Sequence, residues 1–152
     1  MGATLVRDIM TKDPVTCSMT DNLGQVATAM RTHDCGALPV VDDAPPHKPR
    51  GIVTDRDIVV RMVAADIDPL KMKAADVMTD GALLVDADAP VESSLDVMRD
   101  YQVRRVVVID DVGGCCGIVA LADAARHLDA GAVGRVVQEI LAPDSVPSGP
   151  TR

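Results

Sequence analysis

The sequence predicts an α+β fold: two β-α-β-β-α repeats packed sheet against sheet as a pseudo-two-fold pair. Three observations lead there. The chain overlays on itself when shifted. Each copy shows the same order of short apolar runs and helical stripes. Each copy also spans only about 60 residues, a size that buries too little surface to be secure alone.

The overlay holds through whole elements. "RDIMT" (7–11) matches "ADVMT" (75–79), and Met30-Arg31 matches Met98-Arg99. "LPVVDD" (38–43) matches "VVVIDD" (106–111). The following loop is two residues longer in the first copy. Beyond it Gly51, Ile52, Val53 and Asp57 fall on Gly117, Ile118, Val119 and Asp123.

The elements follow in order. A short apolar strand opens each copy, "VTC" at 15–17 and "LLV" at 83–85. A helix comes next, because Leu23, Val26, Ala27 and Met30 recur at helical spacing, as do Val91, Leu95 and Met98. Thr20 and Asp88 are the expected N-caps, with Pro90 in a first turn. "ALPVV" and "VVVI" read as second strands, and "DDAPPHKPR" and "DDVGG" as turns. "GIV" is the third strand in both copies. It leads into helices over about 55–63 and 122–128. "GAVGRVVQEIL" predicts a terminal helix, and the Pro- and Ser-rich "APDSVPSGPTR" a disordered tail. The expected domains are therefore 1–66, 67–130, and a helix and tail over 131–152.

Composition narrows the function. The 152 residues include one Tyr and no Phe or Trp, so the core is aliphatic. A net charge of −8 and the lack of aromatics argue against nucleic acid, which needs clustered cations and stacking platforms. No apolar run reaches the about 20 residues of a membrane span, and "MGATLVRDIM" lacks the pattern of a signal peptide. A cytoplasmic protein is expected. Cys17, Cys35, Cys115 and Cys116 fit no common zinc or redox spacing and read as free thiols. His33 near Cys35, and His127 beside Arg126, are too scattered to make a metal site. No Gly-x-Ser-x-Gly, P-loop or His-Glu-x-x-His pattern is present, so no catalytic residue and no metal is assigned.

"DIMT", "GALPVVDD" and "GIVTDRDI" together resemble the CBS (cystathionine β-synthase) domain, here in tandem over about residues 5–128. Such a pair is a Bateman module. The resemblance implies a non-catalytic regulatory module. It implies an adenosyl ligand (AMP, ADP, ATP or S-adenosylmethionine) held in a cleft between repeats, and a homodimer. The family pattern Gly-h-h-Thr/Ser-x-x-Asp, with h apolar, lands on Gly51, Thr54 and Asp57. The segments expected to flank the base are Val15–Thr16 and Ala37–Leu38–Pro39.

The chemistry suits those residue types. One carboxylate, Asp57, can accept from two ribose hydroxyls. The helix start at Thr54 offers unpaired N–H groups to a phosphate, and Arg56 can add charge. Yet Thr-x-x-Asp before an apolar run is also a capping box, worth about 0.5–2 kcal/mol without any ligand. The second copy keeps Gly117 and Asp123 but has Ala120 in place of Thr. Arg104 and Arg105 replace Gly36 and Ala37 there, either as phosphate contacts or as cleft fillers. The expectation is an asymmetric pair of sites, with a ligand-independent protein-interaction module as the alternative.

Overall fold

The computed structural model of the chain describes residues 2–81 and 83–141. The expected disordered tail lies outside the described residues. The elements run as follows: α1 (Val6–Ile9), β1 (Thr11–Lys12), β2 (Cys17–Ser18), α2 (Leu23–His33), β3 (Ala37–Val41), β4 (Pro49–Thr54), and α3 (Asp55–Ile58). After α3 come a π-helical turn (Val59–Val63) and a 3-10 turn (Pro69–Lys71). The chain continues through α4 (Ala74–Val77), β5 (Thr79–Asp80), β6 (Leu84–Asp86), α5 (Val91–Tyr101), β7 (Arg105–Ile109), β8 (Cys115–Ala120), α6 (Leu121–Ala125) and α7 (Ala130–Leu141). The predicted β-α-β-β-α order is present twice, as β2-α2-β3-β4-α3 and β6-α5-β7-β8-α6. The terminal helix is present as α7.

Two four-stranded sheets carry these elements, ordered β2-β3-β4-β5 and β1-β8-β7-β6. In the first, β2 runs parallel to β3, while β4 pairs antiparallel with both β3 and β5. The α+β class holds. The edge strands β5 and β1 and the helices α4 and α1 are additions to the predicted order.

The chain divides into two compact units, and the division does not follow the sequence repeats. Among the described residues, one unit contains 14–81 and 112–115, and the other contains 2–13, 83–111 and 116–141. Each copy's leader is thus exchanged. The leader α1-β1 belongs with the second copy's strands, and α4-β5 with the first copy's.

The repeated motif "D-h-M-T" explains how a leader docks. Asp8 Oδ2 accepts from Leu5 N–H at 2.9 Å, and Asp76 Oδ2 from Lys73 N–H at 2.8 Å. Each carboxylate closes the start of a one-turn helix too short to form unaided. Val6 and Ile9 are buried in one cluster with Val91, Leu95, Met98 and Val108. Ala74 and Val77 are buried in the other with Leu23, Val26, Leu38 and Val53. Full burial of one such Val side chain contributes about 1.5–3 kcal/mol. The Met and Thr then run under a glycine. A Cβ on Gly51 would meet the Thr79 carbonyl oxygen at 2.5 Å and Met78 Sδ at 2.9 Å. Gly117 faces Met10 and Thr11 in the same way. These glycines admit the edge strand.

The helices after the first strands start two residues later than expected, in both copies. Asn22, not Thr20, is the N-cap of α2: Asn22 Oδ1 accepts from Gln25 N–H at 2.8 Å, and Gln25 Oε1 from Asn22 N–H at 2.9 Å. This reciprocal box satisfies two donors, which a Thr20 cap would leave open. Pro90 is the N-cap position of α5, and Asp88 instead pairs with Arg7. Both helices end on a left-handed residue, Asp34 and Gln102, at equivalent positions.

The expected helix over 55–63 changes character midway. Ala64 N–H donates to the Val59 carbonyl, five residues back, at 2.9 Å, and the helix then closes over the left-handed Asp66, with Ile67 N–H donating to the Met62 carbonyl and Asp66 N–H to that of Val63. The π-helical turn buries Met62 and leaves Val59, Val60 and Val63 exposed. Among the described residues, no helix is long and apolar enough to cross a membrane.

Candidate functional site

The unit of the first copy holds Val15, Thr16, Ala37, Leu38, Pro39, Gly51, Thr54, Arg56 and Asp57. Register brings most of them together. Ala37 lies opposite Thr54, Leu38 opposite Val53, and Pro39 opposite Ile52. Val15 and Thr16 lie just ahead of β2, whose Cys17 pairs with Val40 on β3. Leu38 and Pro39 are buried, Val15 is half-buried, and Thr16 and Arg56 are exposed.

The β4–α3 junction is fixed from both sides. Asp55 N–H donates to the Gly36 carbonyl at 2.9 Å, tying the helix start to the residue before β3. A Cβ on Gly36 would meet only the exposed side chain of Asp55, with Oδ2 at 2.9 Å. The expected capping box is present. Asp57 N–H donates to Thr54 Oγ1 at 3.1 Å, and Thr54 N–H donates to Asp57 Oδ2 at 3.0 Å.

Capping alone does not mark a ligand site. Asp8, Asp76 and Asp123 accept from the N–H three residues earlier in the same manner. Burial sets Asp57 apart: it is 3% exposed, whereas Asp8 and Asp76 lie at the surface. A buried carboxylate requires a counter-charge or further donors. Arg61 supplies one, its Nε 3.7 Å from Asp57 Oδ1, while its Nη1 donates to the Val77 carbonyl at 3.0 Å. Sequence reading passed over Arg61, although the Asp-x-x-x-Arg spacing was a usable signal.

The second copy repeats the backbone and changes the chemistry. Leu121 N–H donates to the Arg104 carbonyl at 2.8 Å, matching the Asp55–Gly36 bond. Ala120 N–H donates to Asp123 Oδ2 at 3.0 Å, but Ala120 has no hydroxyl to return the bond. The Asp123 side chain is 23% exposed, and its cationic neighbour is the exposed Arg126, 3.7 Å away. Arg104 and Arg105 are both exposed. Arg105 and Asp123 belong to the other unit.

The remaining reactive groups are quiet. None of the four cysteines is in a disulfide. Burial raises the Cys17 thiol to about 12, helped by the negative charge of Asp21. Burial, with the charge of Asp110 behind it, also raises Cys116. Both shifts disfavour the reactive thiolate. Among the described residues, no three His, Cys, Asp or Glu side chains gather as a metal site would require. A shallow depression lined by Asn22, Gln25, Thr28, His33 and Leu70 lies on α2, and the motif residues do not line it.

Comparison with known proteins agrees with this anatomy. The CBS-domain family model matches residues 6–64 and 74–130. Hypoxic response protein 1 of Mycobacterium tuberculosis is 39% identical over 145 residues, covering 95% of this chain and 99% of that protein. The crystal structure of hypoxic response protein I with two coordinated zinc ions aligns with a TM-score of 0.73 at 40% identity, over 83% of this chain and 100% of that one. The CBS domain pair of protein MJ0100, in complex with 5′-methylthioadenosine and S-adenosyl-L-methionine, aligns with a TM-score of 0.72 at 30% identity, over 83% of this chain and 96% of that one. With two matched segments, two copies of the strand–helix junction and relatives covering nearly its whole length, this chain belongs to the CBS-domain family.

Proposed function

We propose that this protein is a non-catalytic regulatory module that binds an adenosyl ligand at the β4–α3 junction of its first copy. The ligand class is AMP, ADP, ATP or S-adenosylmethionine. The observation that carries the reading is the buried Asp57, held in a reciprocal box with Thr54, whose strand partner is Ala37. A carboxylate accepting from ribose hydroxyls, a helix start facing a phosphate, and aliphatic walls beside a base form a coherent nucleoside site. The adenosyl compounds bound by the MJ0100 pair support the same ligand class. The second copy, with Ala120 and a less buried Asp123, forms the weaker site, with Arg105 as its phosphate contact.

In this reading the protein acts as a cytoplasmic homodimer, and ligand binding alters the surface shown to a protein partner. A ligand shifts such an equilibrium only through different affinities for the two states. Similarity to hypoxic response protein 1 supports a place in stress response. Isothermal calorimetry with AMP, ATP and S-adenosylmethionine tests the proposal. Saturable heat that Asp57→Ala abolishes supports it; no heat with any of the three, and no change in melting temperature, refutes it.

A second reading is favoured by one observation. Both Asp57 oxygens are engaged by the chain itself, through Thr54 N–H and Arg61. A scaffold with filled sites would act as a ligand-independent interaction module. Asp57→Ala then leaves partner binding intact.

A further inference from the structure

We propose that Arg61 is the positioning residue for Asp57, setting the rotation of its carboxylate so that it accepts from both hydroxyls of a ribose cis-diol. The inference rests on the adenosyl reading above and adds a residue outside the Gly-h-h-Thr-x-x-Asp pattern.

The carboxylate has one oxygen already committed. Asp57 Oδ2 accepts from Thr54 N–H at 3.0 Å, which fixes that edge. Rotation about the remaining bond is then set by what faces Oδ1. Arg61 Nε stands 3.7 Å from it, and the guanidinium is itself held at a second point, 3.0 Å from the carbonyl oxygen of Val77. Val77 lies on α4, so the cation facing Asp57 of α3 is tethered from a different element. The Val77 hydrogen bond tethers this planar guanidinium, unlike a free surface cation.

The π-helical turn is part of this device. Arg61 sits inside Val59–Val63, where the ladder widens to a five-residue bond. Such turns occur often at functional sites because they redirect side chains. Here the turn places Met62 in the core and the neighbouring Arg61 half-buried between Asp57 and α4.

The second copy shows what the absence of this device looks like. His127 occupies the position equivalent to Arg61, and its Nδ1 lies 3.0 Å from the backbone carbonyl oxygen of Asp123. The cation near Asp123 Oδ1 is Arg126, whose side chain is 74% exposed. An anchored cation is thus paired with the buried aspartate and an exposed one with the less buried aspartate.

The test is diol discrimination by the full chain. Wild type, Arg61→Met and Asp57→Ala are titrated with AMP and with 2′-deoxy-AMP, with melting curves to confirm folding. Arg61→Gln serves as a second neutral variant if the methionine variant does not fold. Wild type is expected to prefer AMP by more than about tenfold, because a site built for a hydroxyl penalises its loss. The neutral variant is expected to fold and to bind both nucleotides with nearly equal affinity. A folded neutral variant that keeps the full preference overturns the proposal while leaving the adenosyl reading standing. So does a wild type that binds both nucleotides equally. A wild type that binds neither of them, nor ATP, nor S-adenosylmethionine overturns the adenosyl reading and this inference with it.

Discussion

Replacing Ala120 with Thr should stabilise the protein. Ala120 holds the N-cap position of α6 with φ −94° and ψ 155°, close to Thr54 at φ −114° and ψ 160°. Half of the capping box already exists there, since Ala120 N–H donates to Asp123 Oδ2 at 3.0 Å. The missing half is the hydroxyl that Thr54 presents to Asp57 N–H at 3.1 Å. Supplying it pairs one orphan donor, a gain of about 0.5–2 kcal/mol. For a chain of this size each 1 kcal/mol raises the midpoint by about 2–4 °C. The mirror substitution, Thr54→Ala, should cost a similar amount. Because the two sites lie in different compact units, the double variant Thr54→Ala/Ala120→Thr should return close to wild type. Urea unfolding of the four proteins, followed by circular dichroism, measures all three differences. If Ala120→Thr lowers stability, or leaves it unchanged while Thr54→Ala is costly, the two junctions are not equivalent and the reasoning fails.

Further outcomes can be checked alongside. Asp57→Ala should cost more than Asp123→Ala, by about 1–3 kcal/mol, because Asp57 is more deeply buried and its loss leaves Arg61 without its carboxylate. Equal midpoints in urea would contradict this. Gly51→Ala should cost about 1–3 kcal/mol through overpacking against the Thr79 carbonyl. Weakened hydrogen-exchange protection should then be confined to β4, α4 and β5. The folded-state pKa of Cys17 lies above its ordinary value of 9.0, at about 12. Its contribution to stability is therefore complete below about pH 9 and is lost as pH rises toward 12. Stability of wild type minus Cys17→Ala should fall across that window, and a flat difference would rule it out. The same burial predicts that Cys17 resists iodoacetamide in the native state at neutral pH, read by mass spectrometry.

Most of the architecture could be read from the chain because it is written twice. Leu23, Ala27 and Met30 recur as Val91, Leu95 and Met98, so a helix inferred in one copy is checked in the other. The junction at Thr54 and Asp57 was legible for the same reason. Three features were not. The observed cap positions, Asn22 and Pro90, lie two residues after the expected Thr20 and Asp88: Gln25 favours Asn22 in the first copy, and Pro90 offers no capping side chain to read in the second. The π-helical turn has no signature in "VVRMV", whose apolar residues suit an α-helix equally well. The edge strands β1 and β5 are two residues long, too short for a period to register, and their partners are distant in sequence. Arg61 escaped notice because its link to Val77 depends on α4 docking beside α3, a tertiary arrangement.

The exchanged leaders also set a timetable for synthesis. As the chain leaves the ribosome, Val6 and Ile9 emerge well before β6, β7 and β8, the strands they belong with, which begin roughly eighty residues later. The unit built on the first copy can close earlier, once residues 74–80 have emerged to supply Ala74, Val77 and the edge strand β5. The leader α1-β1 is therefore buried later than the unit made after it, and must wait as an uncovered apolar stretch. The same wiring governs dissection. A fragment cut at residue 66 keeps a leader whose partners are gone and lacks the one its own strands require. The repeats are thus joined by more than a linker, since each completes the other's core.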